Sequence, residues 1–149
     1  MKYSEKIIKQ LNDLLIMNYE VEIIYVEAME NVNNNELKTF FRERGFERNE
    51  FGKELRDEIE KLEGNPEFLG ELSSDFYKIR MNFRNFLLLE NKSDLLSEVY
   101  KIKQLTIKAY NDLLMELNLP LSLCKLLEKH RNQTKENLNV MKREEAFVA

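Results

Sequence analysis

The sequence predicts an all-α fold, an antiparallel four-helix bundle with a helical crossover between its two hairpins. Apolar residues recur three and four positions apart rather than at every second position, which is the spacing of amphipathic helices. The 149 residues include 43% hydrophobic and 34% charged residues but only four Gly and two Pro, so few positions suit tight turns. A length near 150 residues predicts a single domain, residues 1–149.

The first hairpin is predicted over residues 4–63, as two long helices separated by a short polar turn. The first helix runs from Ser4 to Val32, and the asparagine-rich turn after it can cap the second helix, residues 36–63. Because the turn is short, the helices must run antiparallel. Gly64 stands where a left-handed C-cap residue is expected. The predicted inward positions are Ile8, Leu11, Leu15, Asn18, Glu22, Tyr25, Met29 and Val32, then Leu37, Phe41, Arg44, Arg48, Phe51, Leu55, Ile59 and Leu62.

A crossover is predicted over residues 64–92, where the helix breakers Gly64, Pro66 and Gly70 precede a shorter helix. A helix of about 18 residues rises roughly 27 Å, enough to carry the chain from one end of the hairpin to the other. The second hairpin is predicted over residues 93–142, and the tail, 143–149, is expected to fray. Its predicted inward positions are Leu95, Val99, Ile102, Thr106, Ala109, Leu113 and Leu117, then Leu123, Leu126, Leu127, His130, Thr134, Leu138 and Met141.

Short motifs between residues 11 and 115 resemble a bacterial ferritin-like family of unknown function. They are Leu11-Asn12-Asp13-Leu14, Phe51 with Glu54-Leu55, Gly64-Asn65-Pro66, Met81-Asn82-Phe83-Arg84 and Lys108-Ala109-Tyr110. The resemblance implies a ferritin-like bundle and supplies no activity. Two departures remove groups that could bind a metal. Residues 100–104 read Tyr-Lys-Ile-Lys-Gln where members often have Glu-Arg-Gly-Glu-Asp, and Tyr77 and Arg80 stand where a His and a Trp are common.

A di-iron site in such a bundle requires a Glu from each of two helices and a Glu-x-x-His motif from each of the others. The chain has one His, His130, and Leu127 stands three residues before it, so this motif is missing. An interior imidazole is the favoured interpretation of His130. The weak candidate metal ligands are Glu22, Glu47, Glu50, Glu98 and His130. We therefore expect no cofactor, with iron held by these residues as the alternative.

Charged residues fall on the predicted inward faces of the first two helices. In a hairpin that turns near Asn34, position 22 lies opposite about position 46, which brings Glu22 within reach of Arg44 or Arg48. We expect an interior ion pair, because one buried charge left unpaired costs about 3–5 kcal/mol. Two interpretations stay open. The pair is an ordinary one that fixes the register of the hairpin, or it is the remnant of a ligand site in which a fixed cation replaces a metal.

The apolar run from Phe86 to Leu89 covers all sides of the crossover helix, so it cannot all face one core. Part of this surface is expected to be buried against a second copy of the chain, in a homodimer. A net charge of −4 without a basic tract argues against nucleic-acid binding. No apolar run approaches the ~18 residues that a membrane span needs, and the first residues lead into an amphipathic helix rather than a signal peptide. The lone Cys suits a reducing compartment, so we expect a cytoplasmic protein.

The leading hypothesis is a cytoplasmic, non-enzymatic ferritin-like bundle with a degenerate metal site, acting as a structural or interaction protein. A stress-related role follows from analogy with ferritin-like proteins. The alternative is a carboxylate-bridged di-iron oxidase or storage protein.

Overall fold

Five helices make up the regular structure of the described residues in this computed structural model. The backbone is described for residues 3–67 and 73–148, and the side chains for residues 4–67 and 73–141. No strand occurs within these ranges, so the predicted all-α class is confirmed for this part of the chain. The chain forms two compact units, residues 1–98 and 99–149. The helices are α1 (Tyr3–Asn31), α2 (Asn35–Lys61), α3 (Ser74–Leu88), α4 (Lys92–Leu114) and α5 (Leu121–Val148).

The helix ends differ from the prediction mainly in the second half of the chain. Helix α4 ends at Leu114, so Leu117, which was expected to face inward, follows the helix and is 77% exposed. Helix α5 continues to Val148, through most of the tail that was expected to fray. The structure does not describe residue 149, the last residue of the tail, or residues 68–72 of the predicted crossover.

Helices α1 and α2 form an antiparallel hairpin. The Asn34 side chain caps α2, because its Oδ1 atom accepts a hydrogen bond of 3.0 Å from the backbone N–H of Leu37. Across the hairpin, the rings of Tyr25 and Phe41 lie 6.0 Å apart. Further from the turn, Leu15 packs against the backbone of Gly52. These pairs agree closely with the register that the position of the turn predicted.

The buried stripe of α1 is rotated slightly from its predicted centre. Its members repeat at alternating intervals of four and three residues. Ile7, Leu14, Val21 and Ala28, each next to a predicted inward residue, belong to the stripe, whereas Ile8, Glu22 and Met29 lie half-buried at its margin. A helix turns about 100° per residue, so a shift of one position moves a side chain from the centre of a stripe to its edge. The members at this spacing are Ile7, Leu11, Leu14, Asn18, Val21, Tyr25, Ala28 and Val32, and Asn12, Leu15, Met17 and Ile24 beside them are buried as well.

The end of α2 approaches the start of α1 too closely for a side chain at position 64. Gly64 does not have the positive φ that a left-handed cap requires, and Glu63 takes it instead, with φ 61°. The prediction for Gly64 is therefore wrong. A Cβ atom at Gly64 would lie 2.7 Å from Ile8 Cγ2 and 3.1 Å from Ile59 Cγ2, inside van der Waals contact. Glycine is needed here for close packing rather than for its backbone conformation.

The segment that follows α2 is held at the end of the hairpin remote from its turn. The Asn12 side chain donates to the backbone oxygen of Asn65 at 3.1 Å and accepts from the backbone N–H of Glu67 at 2.8 Å. A buried side-chain amide thus replaces the backbone partners that these residues lack after the helix ends.

The C-terminal end of α3 lies near the turn between α1 and α2. Arg84 pairs with Glu27 of α1, and the Phe83 and Phe41 rings lie 6.0 Å apart in a T-shaped arrangement. The Asn33 side chain in the turn donates to Glu90 at 2.8 Å. Glu67 and Glu90 therefore lie at opposite ends of the hairpin.

In the second unit, α4 and α5 are joined by the short connection of residues 115–120. Tyr110 and His130 share a hydrogen bond of 2.8 Å, and Arg131 Nη1 donates to Asn111 Oδ1 at 3.0 Å. These pairs join positions on either side of the connection, as expected for antiparallel neighbours. Among the described residues, no helix has the length and apolar character needed to cross a membrane.

Candidate functional site

The most deeply buried charged group of the first unit is the guanidinium of Arg48 on α2. The side chain is 2% exposed, and Nη1 donates a hydrogen bond of 2.9 Å to Oδ1 of Asn18, which is fully buried on α1. Asn18 Nδ2 in turn donates to the backbone oxygen of Leu14 at 2.9 Å. The amide is therefore oriented with its oxygen toward the cation, and Arg48 is joined to the backbone of α1 through it.

The phenol of Tyr25 is buried beside the same cation. Burial, opposed by the positive charge of Arg48, raises the pKa of Tyr25 to about 12. The hydroxyl oxygen is fully enclosed and makes no hydrogen bond of normal geometry. Tyr25 therefore stays neutral at physiological pH and contributes packing, including the ring contact with Phe41.

Glu47 and Arg44 lie on α2 within four positions of Arg48. Glu47 is buried, and its Oε2 atom lies 3.8 Å from Arg44 Nη1, one helical turn away. The Arg44 guanidinium also lies over the Phe40 ring, with 5.9 Å from Cζ to the ring centroid. We call the five residues Asn18, Tyr25, Arg44, Glu47 and Arg48 the buried arginine cluster.

The contacts give Glu22 a partner other than the one expected. Its two carboxylate oxygens accept hydrogen bonds from Asn49 Nδ2 at 3.4 and 3.1 Å. Partial burial raises the pKa of Glu22, and the bond from Asn49 and the charge of Lys53 oppose this shift. The register along the hairpin matches the prediction, but Glu22 lies at the margin of the α1 stripe. It therefore meets Asn49, which is one residue and about 100° around α2 from Arg48.

The predicted metal-ligand candidates form hydrogen bonds or ion pairs with other side chains. Asn82 donates to Glu98 at 3.3 Å, and Glu50 lies 3.3 Å from Lys53. His130, fully buried, shares its Nδ1 hydrogen bond with Tyr110. Within the parts of the chain whose side chains are described, no three His, Cys, Asp or Glu residues come close enough together to hold a metal ion. The five candidates therefore do not form one site in this structure.

Asn18 and Lys103 are among the buried polar residues that were not predicted as site residues. Asn18 was placed on the inward face of α1 but given no role, although an amide among apolar residues is a signal for a specific hydrogen bond. Lys103 of α4 is 1% exposed. Its position lies four residues after Val99 and three before Thr106, both of which were predicted to face inward. A lysine at that spacing was therefore a detectable signal.

A half-open cleft of about 210 Å³ lies at the turn end of the first unit. The asparagines of the α1–α2 turn and residues at the start of α4 line it. Its polar wall includes the hydrogen bond between Asn33 and Glu90, so these two groups already satisfy one another. Lys92 is the other charged residue among those that line the cleft.

The sequence pattern of a domain of unknown function (DUF2383) matches residues 6–116. The chain belongs to this family. The match covers all but the first three residues of the α1–α2 hairpin, and it includes the entire buried arginine cluster of this DUF2383 protein. No curated protein and no solved structure gives a match to the chain. The chemistry of the DUF2383 chain must therefore be inferred from its own side chains.

Arg48 and Tyr25 of the buried arginine cluster are enclosed by the protein. A general acid or base needs a titratable group that can reach a substrate, whereas the Arg48 side chain is 2% exposed. Tyr25 is enclosed and stays protonated. In this DUF2383 chain, the hydrogen bond from Arg48 to Asn18 joins α2 to α1, whereas the contact between Glu47 and Arg44 lies within α2.

Proposed function

We propose that this DUF2383 protein is a cytoplasmic, non-enzymatic helical protein of the ferritin-like bundle type that acts as a structural or interaction protein. The observation that carries the proposal is the buried Arg48 guanidinium, bonded to Asn18 within the first hairpin. A fixed cation supplies the interior with the positive charge that a bound metal ion supplies in a di-iron bundle. The interior then needs no metal to balance Glu47.

Electrostatics favour this proposal over iron binding. A divalent cation placed beside Glu47 would be repelled by the nearby charges of Arg44 and Arg48, at low effective dielectric constant. It would also have to displace the contact between Glu47 and Arg44. Glu98 is engaged through Oε1, with Asn82, and His130 through Nδ1, with Tyr110. An iron oxidase or storage role would require the candidate ligands to come together at one point.

Exposed apolar side chains support the interaction part of the proposal. Leu88 and Leu89 at the end of α3 are 83% and 73% exposed, and Tyr77 on the same helix is 60% exposed. Contiguous exposed apolar residues on a soluble domain mark surfaces that bind other molecules. The resemblance to bacterial ferritin-like proteins adds a bacterial origin and a stress-related role to the proposal, on analogy alone.

Metal analysis after anaerobic loading with Fe(II) tests the proposal. The purified chain is loaded, desalted and analysed for iron, beside Glu47→Ala and Glu50→Ala. Glu43→Ala, an exposed acidic position on the same helix, is the matched control. We expect iron far below one atom per chain in all four proteins. Stoichiometric iron that is retained by Glu43→Ala and lost in Glu47→Ala or Glu50→Ala would overturn the proposal in favour of an iron protein.

A further inference from the structure

The half-open cleft at the turn end of the first unit combines an apolar floor with a polar rim, and we call it the turn cleft. Its floor includes the side chains of Val32, Leu37 and Leu95, which are buried hydrophobic residues. Its rim includes the exposed residues Glu90 and Lys92 and the asparagines of the α1–α2 turn. Sites that bind small molecules combine an apolar surface with a few polar groups that fix the orientation of the ligand. The turn cleft has both parts.

The rim carries one negative and one positive charge that do not neutralise each other. Asn33 Nδ2 donates to Glu90 Oε1 at 2.8 Å. This bond restrains the carboxylate in the wall of the cleft and leaves its second oxygen, Oε2, available to a further donor. Lys92 makes no ion pair with Glu90, nor with any other residue whose side chain the structure describes. A carboxylate and an ammonium group are therefore both accessible to a ligand at the same rim.

The volume of the turn cleft, about 210 Å³, restricts the size of its ligand. A buried apolar cavity of about 150 Å³ takes up one benzene molecule, whereas drug-sized ligands occupy pockets of roughly 300–1,000 Å³. A molecule somewhat larger than benzene therefore fits in the cleft, whereas most of a nucleotide would lie outside it.

The two charges restrict the chemistry of the ligand. A purely anionic molecule would be attracted by Lys92 but would face the carboxylate of Glu90, and a cationic one would meet the reverse arrangement. A zwitterion satisfies both groups at once. A free α-amino acid carries its ammonium and carboxylate groups on one carbon, beside a side chain that can be apolar. This combination matches the charged rim and the apolar floor.

We propose that the turn cleft binds a free α-amino acid with an aliphatic side chain of about the size of leucine. Its ammonium group donates to Glu90 Oε2, its carboxylate pairs with Lys92, and its side chain covers the apolar floor. The Asn34 side chain supplies a further donor, because its Oδ1 atom already accepts from Leu37 and its Nδ2 group remains available. This role goes beyond the structural function proposed above, and it does not depend on the iron content of the protein.

Titrations followed by the backbone amide signals in NMR spectra test the class of ligand. The probes are L-leucine, leucinamide, which lacks the carboxylate, isocaproate, which lacks the ammonium group, and glycine, which lacks the side chain. We expect millimolar L-leucine to shift the signals of residues that line the cleft. The other three probes should bind at least about threefold more weakly, the effect of one partly exposed ion pair or of the lost apolar contact. No shift with L-leucine, or equal binding of any other probe, would overturn the inference.

Two substitutions that remove a charge test the roles of the rim residues. Glu90→Gln keeps an oxygen that accepts from Asn33, and we expect it to weaken the binding of L-leucine but not of isocaproate. Lys92→Gln should weaken the binding of L-leucine but not of leucinamide. Lys101→Gln, which changes an exposed lysine of the same helix outside the cleft, is the matched control and should bind L-leucine as the wild type does. Unchanged binding of L-leucine in both cleft variants, or an equal loss in the control, would contradict the proposed site.

Discussion

The Nη1 atom of Arg48 lies 2.9 Å from the Oδ1 atom of Asn18, inside the hairpin of α1 and α2. This bond joins a cation on one helix to an amide on the next, 30 residues away along the chain. Both side chains are excluded from water. A hydrogen bond to a charged group in such a place contributes more to stability than a neutral one, and the loss of either partner is costly.

A double-mutant cycle on this pair should reveal strong coupling. Arg48→Met leaves the Asn18 oxygen without this donor, and we expect it to lower the free energy of unfolding by about 3 kcal/mol. We expect Asn18→Leu to be destabilising as well. The double variant should lose at least about 1 kcal/mol less than the sum of the single losses. Urea unfolding measures all four proteins. Additive losses would mean that the two residues do not act as a pair.

Tyr25→Phe should stabilise the protein. The Tyr25 hydroxyl is buried without a hydrogen bond of normal geometry, and its interaction with Arg48 is smaller than the effect of burial, so its removal relieves a desolvation cost of about 1 kcal/mol. The gain should grow as pH rises above 10. In the wild type, stability should fall as pH rises from 10 toward 12, because Tyr25 ionises at pH 10.0 when unfolded and at about 12 when folded. Urea unfolding at neutral and alkaline pH measures both effects. A substitution that destabilises at neutral pH would show that the hydroxyl has a favourable partner.

Glu22→Gln should stabilise the protein at neutral pH. Partial burial raises the pKa of Glu22 above its ordinary 4.5, so the folded state carries a charge that it disfavours at pH 7. A glutamine oxygen can still accept the hydrogen bond from Asn49. The advantage of the variant should shrink as pH falls through the raised folded pKa, and it should vanish below about pH 4, where both states of the wild type are protonated. A constant difference at all pH values would exclude this electrostatic explanation.

Glu27→Gln should destabilise the protein at neutral pH, in contrast to Glu22→Gln. The hydrogen bonds from Arg84 hold the pKa of Glu27 below its ordinary 4.5. The stabilisation from a lowered carboxyl pKa is complete above the unfolded pKa and disappears as pH falls through the folded pKa. The variant should therefore be less stable than the wild type at pH 7 and should lose less stability on acidification below 4.5. Because Glu22 and Glu27 lie on the same helix, urea unfolding of both variants in the same buffers provides a matched comparison.

Gly64→Ala should lower the free energy of unfolding, whereas Gly45→Ala should raise it. A Cβ at Gly64 would meet Ile8 at 2.7 Å, and we expect a loss of about 1–3 kcal/mol from overpacking. A Cβ at Gly45, inside α2, would lie 3.6 Å from Val26, an ordinary contact. Alanine there should gain about 0.5–1 kcal/mol from its higher helix propensity. Thermal unfolding compares the two. If both variants were stabilised, Gly64 would not be required for close packing.

The periodicity of the sequence was sufficient to predict the helices and most of the buried positions. Arg48 was expected to face inward and is buried, because a continuous apolar stripe on α2 leaves its position no alternative. The partners of the charged residues were harder to predict. One residue along a helix corresponds to about 100° of rotation, so a small error in the centre of the α1 stripe exchanges Arg48 for Asn49 opposite Glu22.

The role of Gly64 shows a second limit. The sequence marks the position as one that needs glycine, but two physical reasons lead to glycine after a helix, a positive φ or the absence of space for a Cβ. Which of the two reasons applies depends on the packing of Ile8, 56 positions earlier in the chain. The sequence around Gly64 carries no information about that contact. Likewise, Lys103 is marked by its spacing, but its burial depends on residues brought near by the fold.

Anomalous diffraction from crystals grown anaerobically with Fe(II) tests most directly whether a guanidinium, rather than a metal ion, balances the buried acid. Data collected on both sides of the iron absorption edge locate any bound iron without reference to activity. We expect no anomalous peak near Glu22, Glu47 or Glu98, with Arg48 still bonded to Asn18. A strong peak coordinated by carboxylate oxygens from two or more helices, with Arg48 displaced, would contradict the account.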